Sequence, residues 1–207
     1  MNIPGRGVLI GLLWALCGTV QAQERADFDT VAARVEQAEV LRGDFSQEKH
    51  VEGFRNPLRS SGRFLLASGR GVLWETLAPF PGEMVITRER ITSRQPDGSQ
   101  RVEVDASRQP GLAAVNSTLF ALMGGDVAAL SARFEGEAQL LPEGRWRLEL
   151  VPRPGPLAQA FSTLSIEGGR FVEQVELLDT QGDRTRIVFS ALATGPALDA
   201  GEAARLD

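Results

Sequence analysis

The sequence predicts an α+β protein, mainly antiparallel β, built as one curved sheet of about ten strands with two or three helices. From residue 41 onward, short apolar runs are separated by Gly, Pro, Asn and Asp turn residues, which is typical of antiparallel strands. Only two longer stretches keep a helical period. A large antiparallel sheet must curl or be covered, because a flat open sheet leaves apolar surface and strand edges in water.

The first 22 residues have the pattern of a cleavable secretory signal peptide. Arg6 supplies a short positive region, residues 8–20 are apolar, and residues 20–22 resemble a cleavage site. The apolar run is shorter than the roughly 20 residues that a membrane span needs. Cys17 follows a bulky leucine where a lipid-anchor site would need a small residue, so we expect it to leave with the signal. The pattern therefore predicts export to the periplasm of a Gram-negative bacterium.

Composition excludes several classes of function. Loss of Arg6 leaves 21 basic against 27 acidic residues, a charge of −6 that does not suit a nucleic acid partner. His50 is the one histidine, no cysteine follows residue 22, and no Gly-x-Ser-x-Gly or phosphate-binding GK[ST] motif is present. Glu135 and Glu137 share a strand face, where solvent-facing carboxylates are commoner than a glycosidase pair. We expect no enzymatic activity, no cofactor and no metal site.

The first half of the mature chain opens with an amphipathic helix and continues as strands. Asp27 or Asp29 can cap a helix whose apolar positions follow helical spacing at Phe28, Val31, Ala32, Val35 and Ala38. Strands are then predicted at residues 41–49, 58–67, 71–77, 83–88, 91–94 and 100–104.

The second half contains another helix and further strands. The helix begins after Pro110 and Gly111, keeps apolar residues at helical spacing, and ends at Gly124 and Gly125. Strands follow at residues 132–141, 145–152, 162–167, 171–178 and 184–192, with a helical turn at 157–161. We expect residues 23–194 to form a single domain and residues 195–207 to form a flexible C-terminal tail.

Four segments in this order resemble the LolA family of periplasmic outer-membrane lipoprotein carriers. They are GDFSQ at residues 43–47, SGRFLLASGRGVLWETLAPFPGEMVIT at 61–87, PDGSQ at 96–100 and STLFALMGG at 117–125. The resemblance extends from about residue 27 to residue 192. It implies an incomplete β-barrel, or half-barrel, whose concave side is covered by helices and holds an apolar cavity for acyl chains.

The resemblance also implies a set of cavity residues and partners. Trp74 matches the family's tryptophan, and the implied cavity residues are Phe45, Phe64, Leu66, Val72, Trp74, Met84, Ile86, Leu119, Phe120, Leu122 and Met123. The implied partners are acyl chains of lipoproteins or other lipids, an inner-membrane ABC transporter and an outer-membrane acceptor. The resemblance also implies a transient contact with the membrane and a monomeric protein. From composition alone, the same residues fit a filled core at least as well.

The turn between the second and third strands departs from the family pattern. Ser68 and Gly69 stand where typical carriers have Arg-Pro, and Arg70 is the nearest basic residue. Arg70 is therefore either a cargo-handover residue at a shifted position or a solvated turn residue. Two alternatives follow: a regulatory or interaction protein with the same fold, or a carrier of a lipid-linked product other than a lipoprotein.

Overall fold

A computed structural model of the protein describes residues 24–94, 99–105 and 110–206. The predicted signal peptide at 1–22, the Asp97-Gly98 turn and the side chain of Leu119 lie outside the described residues. The described chain contains these strands: β1 Glu24–Ala26, β2 Val40–His50, β3 Leu58–Ala67, β4 Gly71–Ala78, β5 Gly82–Ile86, β6 Arg90–Arg94, β7 Gln100–Asp105, β8 Phe134–Leu140, β9 Trp146–Pro152, β10 Phe161–Gly168, β11 Val172–Asp179 and β12 Arg184–Thr194.

These strands form one antiparallel sheet that does not close into a barrel. Their spatial order is β1-β8-β9-β10-β11-β12-β2-β3-β4-β5-β6-β7. Most neighbours are consecutive in sequence, and the pairing of β12 with β2 joins the two halves of the sheet, with Phe189 opposite Phe45. The mainly antiparallel α+β prediction is confirmed, and β1, which the sequence did not predict, pairs with β8.

The helices are α1 Phe28–Ala32, α2 Pro110–Gly124, α3 Val127–Ser131, α4 Pro156–Ala160 and α5 Ala200–Leu206. Helix α1 was predicted to continue to Ala38 but ends at Ala32, because the chain is then tied to the β10–β11 turn: the Glu36 amide donates to the Arg170 carbonyl at 2.7 Å. Helix α2 ends as predicted, and Gly125 has a φ of 68°, which favours glycine. Helix α3 was not predicted, although Asp126 caps it.

Helices α1 to α4 cover one face of the sheet, which we call the inner face. Their buried residues, such as Val31, Leu122, Leu130 and Leu157, join one apolar core with the inner-facing strand residues. Because side chains alternate along a strand, consecutive buried residues in β3 and β4 must point to both faces.

Helix α5 covers the opposite, outer face and lies within the segment after residue 194 that the sequence predicted as a flexible tail. Leu206 is 5% exposed and packs in a second apolar cluster with Val40, Leu65, Ala67, Leu73 and Val85. Arg42 Nη2 binds Glu202 Oε2 at 2.6 Å, and Arg205 pairs with Glu83. The segment is helical because its apolar terminus and its charges find partners on strands that are distant in sequence.

Candidate functional site

An apolar cavity of about 170 Å³ lies between the inner face of the sheet and helix α2. Gln47 is the one polar residue among the described residues that line it, and no ionisable side chain is among them. Its lining consists of Gln47, Val72, Trp74, Met84, Ile86, Phe120, Leu122, Met123, Val175, Leu177, Ile187 and Phe189. The arrangement can hold an apolar group but offers no acid, base or nucleophile for chemistry.

The strand register brings these residues onto one face. Val72 lies opposite Ile86, and Trp74 lies opposite Met84, across β4 and β5. On the other side, Val175 pairs with Ile187 across β11 and β12. Each strand contributes residues two apart, as the period of a β-strand requires. Helix α2 closes the space with Phe120, Leu122 and Met123.

An aromatic cluster fixes the wall around Trp74. The Trp74 and Phe45 rings stack with centroids 3.8 Å apart and an interplanar angle of 26°. Phe189 meets Trp74 edge to face at 6.3 Å, and Phe64 lies 6.4 Å from Trp74. Such pairs add to the stability that this part of the wall gains from burial.

Seven of the residues predicted from the resemblance line this cavity: Val72, Trp74, Met84, Ile86, Phe120, Leu122 and Met123. Phe45 is buried behind Trp74 instead. Phe64 lines a small void of about 10 Å³ beside Met123, and Leu66 lines a neighbouring pocket. Whether any of them binds lipid stays a prediction.

The sequence analysis missed the lining residues Gln47, Val175, Leu177, Ile187 and Phe189. Their strands were predicted, and the spacing of two between Val175 and Leu177 and between Ile187 and Phe189 was the available signal. The pairing of β11, β12 and β2 places them opposite β4 and β5, which no local pattern could indicate.

A polar pocket of about 340 Å³ adjoins the apolar cavity, and Phe120 lines both. We call it the arginine pocket. It lies between the β3–β4 turn and the ends of α2 and α3. Its lining residues are Gln37, Ala38, Leu66, Ser68, Gly69, Arg88, Ser117, Phe120, Ala121, Gly124, Asp126, Ala129 and Arg133.

Arg70, the predicted handover residue, is oriented toward the outer face. Its Nη2 donates to the Ala203 carbonyl of α5 at 3.3 Å. It lines none of the cavities described here. Its role in cargo handover stays a prediction.

Charged residues concentrate on the outer face, around a pocket of about 500 Å³ beneath α5. A hydrogen bond from Arg63 lowers the pKa of Glu75, and one from Arg42 lowers the pKa of Glu202. These groups neutralise one another in pairs. Within residues 24–94, 99–105 and 110–206, no cluster of three or more His, Cys, Asp or Glu side chains could hold a metal ion, and no helix is long and apolar enough to cross a membrane.

Residues 36–202 match the family model described as outer membrane lipoprotein carrier protein LolA. The chain belongs to the LolA family. Among curated outer-membrane lipoprotein carrier proteins, it is 28% identical to that of Methylococcus capsulatus, over 95% of this chain and 91% of the relative. It is 32% identical to that of Xylella fastidiosa, over 87% of this chain and 82% of the relative.

Two solved structures also resemble this LolA-family chain. A LolA superfamily protein from Nitrosomonas europaea has a TM-score of 0.45 at 9% identity, covering 84% of this chain and 94% of that one. The Pseudomonas aeruginosa MucA/MucB complex gives a TM-score of 0.47 at 17% identity, covering 88% of this chain and 61% of that one.

Proposed function

We propose that this protein is a periplasmic carrier that binds acyl chains of lipoproteins, or of a related lipid, and moves them from the inner to the outer membrane. The observation that carries the proposal is the cavity beneath α2, whose described lining has eleven apolar residues and one amide. Its family relatives bear the name of outer-membrane lipoprotein carriers. In this role the protein receives its cargo from an inner-membrane transporter and passes it to an outer-membrane acceptor, with no chemical step of its own.

Binding of a whole acyl chain requires α2 to move. A dry apolar cavity of about 150 Å³ holds a ligand the size of benzene, and the cavity here has about 170 Å³. An acyl chain of many methylenes therefore fits only when Phe120, Leu122 and Met123 separate from the sheet. Met123 suits such a surface, because a flexible thioether side chain adapts to ligands of different shape.

The free energy of transfer explains why a carrier is needed. Burial of each methylene is worth about 0.8 kcal/mol, so a chain of about 16 carbons costs on the order of 12 kcal/mol to expose to water. An apolar cavity supplies burial similar to that in a bilayer. The free energy of transferring the chain between membrane and carrier is then close to zero, and the position of α2 controls entry and release.

Quenching of Trp74 fluorescence by a brominated fatty acid tests the proposal. Bromine quenches indole on contact, and Trp74 lines the cavity. Trp146 is fully buried outside the cavity lining, with Nε1 donating to the Gly169 carbonyl at 2.7 Å. We expect saturable quenching that is lost in Trp74→Phe and retained in Trp146→Phe.

Comparison of the two tryptophan variants distinguishes a binding cavity from a filled apolar core. Equal quenching in both variants would place the fatty acid elsewhere on the protein. No quenching by any brominated acyl compound would mean that the apolar residues form a closed core, and the carrier proposal would be wrong.

A further inference from the structure

The arginine pocket contains two guanidinium groups without carboxylate partners. Within the described residues, Arg88 makes no hydrogen bond or ion pair through its side chain, and Arg133 makes one hydrogen bond, from Nη1 to the Ala129 carbonyl at 3.3 Å. By contrast, Arg63 and Arg94 on the same sheet bind Glu75 and Glu83. The cations of the arginine pocket are therefore available to a ligand.

The other charged group in this lining is already engaged. Asp126 caps helix α3, and its Oδ1 accepts from the Ala129 amide at 2.9 Å. Two cations against one carboxylate leave the described lining with a net positive charge. Ser68 adds a hydroxyl group that can donate to an anion, whereas the Ser117 hydroxyl already donates to the Ala114 carbonyl at 3.0 Å.

The pocket adjoins the apolar cavity. Phe120 lines both spaces, and Leu66 of β3 gives the arginine pocket an apolar wall. A ligand that places an acyl chain beneath α2 can therefore place a polar group beside Arg88 and Arg133. Together the two spaces are complementary to an amphiphile that has an apolar tail and an anionic end.

We propose that the arginine pocket binds an anionic group, a phosphate or a carboxylate, attached to the lipid whose acyl chain occupies the apolar cavity. Guanidinium groups suit these anions because their planar N–H donors pair with two oxygens at once. The inference rests on the proposed carrier function and narrows its cargo to acidic lipids. An uncharged lipid would leave both arginines unpaired in the loaded protein.

The test compares two brominated lipids that differ only in the presence of a phosphate group. Phosphatidic acid and diacylglycerol with the same brominated chains are titrated into the purified protein while Trp74 quenching is followed. Variants are Arg88→Gln, Arg133→Gln and the double variant. Arg55→Gln is the matched control, because Arg55 is exposed in the β2–β3 loop, at the opposite end of these strands from Ser68. Inorganic phosphate alone is tested as a competitor.

We expect the protein to bind phosphatidic acid more tightly than diacylglycerol. Each substitution of Arg88 or Arg133 by glutamine should lower the affinity for phosphatidic acid by about tenfold, because charge-assisted hydrogen bonds are lost. Diacylglycerol affinity should change less than about twofold in every variant, and Arg55→Gln should match the unmodified protein. Arg88→Lys should restore part of the affinity, because it keeps the charge. Unfolding midpoints of the variants show that each one is folded.

Three results would overturn the inference. Equal affinity for both lipids, unaffected by the pocket variants, would leave the carrier function standing and remove the anion site. Inorganic phosphate that binds through Arg88 and Arg133 without competing with phosphatidic acid would separate the pocket from the lipid. Absence of quenching by either lipid would instead contradict the carrier function on which the inference rests.

Discussion

Replacement of Leu206 by alanine tests whether helix α5 is a fixed part of the domain. The Leu206 side chain is 5% exposed, and its Cδ2 lies so close to β4 that a Cβ placed on Gly71 would be 2.9 Å from it. Burial of a leucine stabilises by about 1.5–3 kcal/mol, and Leu→Ala in a core costs about 2–5 kcal/mol. A terminal helix can detach without unfolding the sheet, which limits the loss to the free energy of α5 docking.

We therefore expect Leu206→Ala to lower the free energy of unfolding by about 2 kcal/mol, at the low end of the range for core leucines. Equilibrium urea unfolding, followed by Trp146 fluorescence, measures it. Leu77→Ala is the matched control: Leu77 is 52% exposed on β4, so the same truncation should cost less than about 0.5 kcal/mol. If the two variants lose equal stability, α5 is undocked in solution and the tail is loose, as the sequence suggested.

Two further predictions concern the sheet and its charges. Gly62→Ala should lower the free energy of unfolding by about 3 kcal/mol or more, because the new Cβ would lie 1.9 Å from the Glu75 carbonyl oxygen, where the β3–β4 register shifts. Gly82→Ala is the control, since a Cβ at Gly82 has no heavy atom within 4 Å, and this variant should keep its stability in the same unfolding assay. Arg42 and Arg63 lower the pKa of Glu202 and Glu75 below 4.5, so the unfolded chain binds more protons in acid. Stability should therefore be full above about pH 4.5 and fall below it, and Glu202→Gln should reduce this pH dependence; an unchanged profile would mean that the Arg42 pair contributes nothing.

The sequence predicted the parts of the cavity that come from continuous segments. Val72 and Trp74 share a strand face by the period of two in β4, and the resemblance to the LolA family implied Trp74, Leu122 and Met123 as cavity residues. The opposite wall was missed because Val175 and Ile187 reach the site through pairing of strands far from β4 in the chain. Helix α5 was missed for a related reason: its small residues give a weak local signal, and its stability depends on Leu206 docking against Leu73 and Val85.

Strand β4 packs against α5 on one face and lines the apolar cavity on the other. Leu73 packs toward α5 on the outer face, while Val72 and Trp74 line the cavity on the inner face, so this wall is held from behind. Helix α2 has no charged residue between Pro110 and Gly124 to stabilise it in water away from the sheet. Under the proposed function, displacement of α2 would expose Phe120, Leu122 and Met123, and burial of an acyl chain at about 0.8 kcal/mol per methylene would offset that cost. Since β4 is packed on both faces and α2 has no charged residue, the proposed function predicts that α2 stays against the sheet when no lipid is bound and that a bound lipid keeps it displaced.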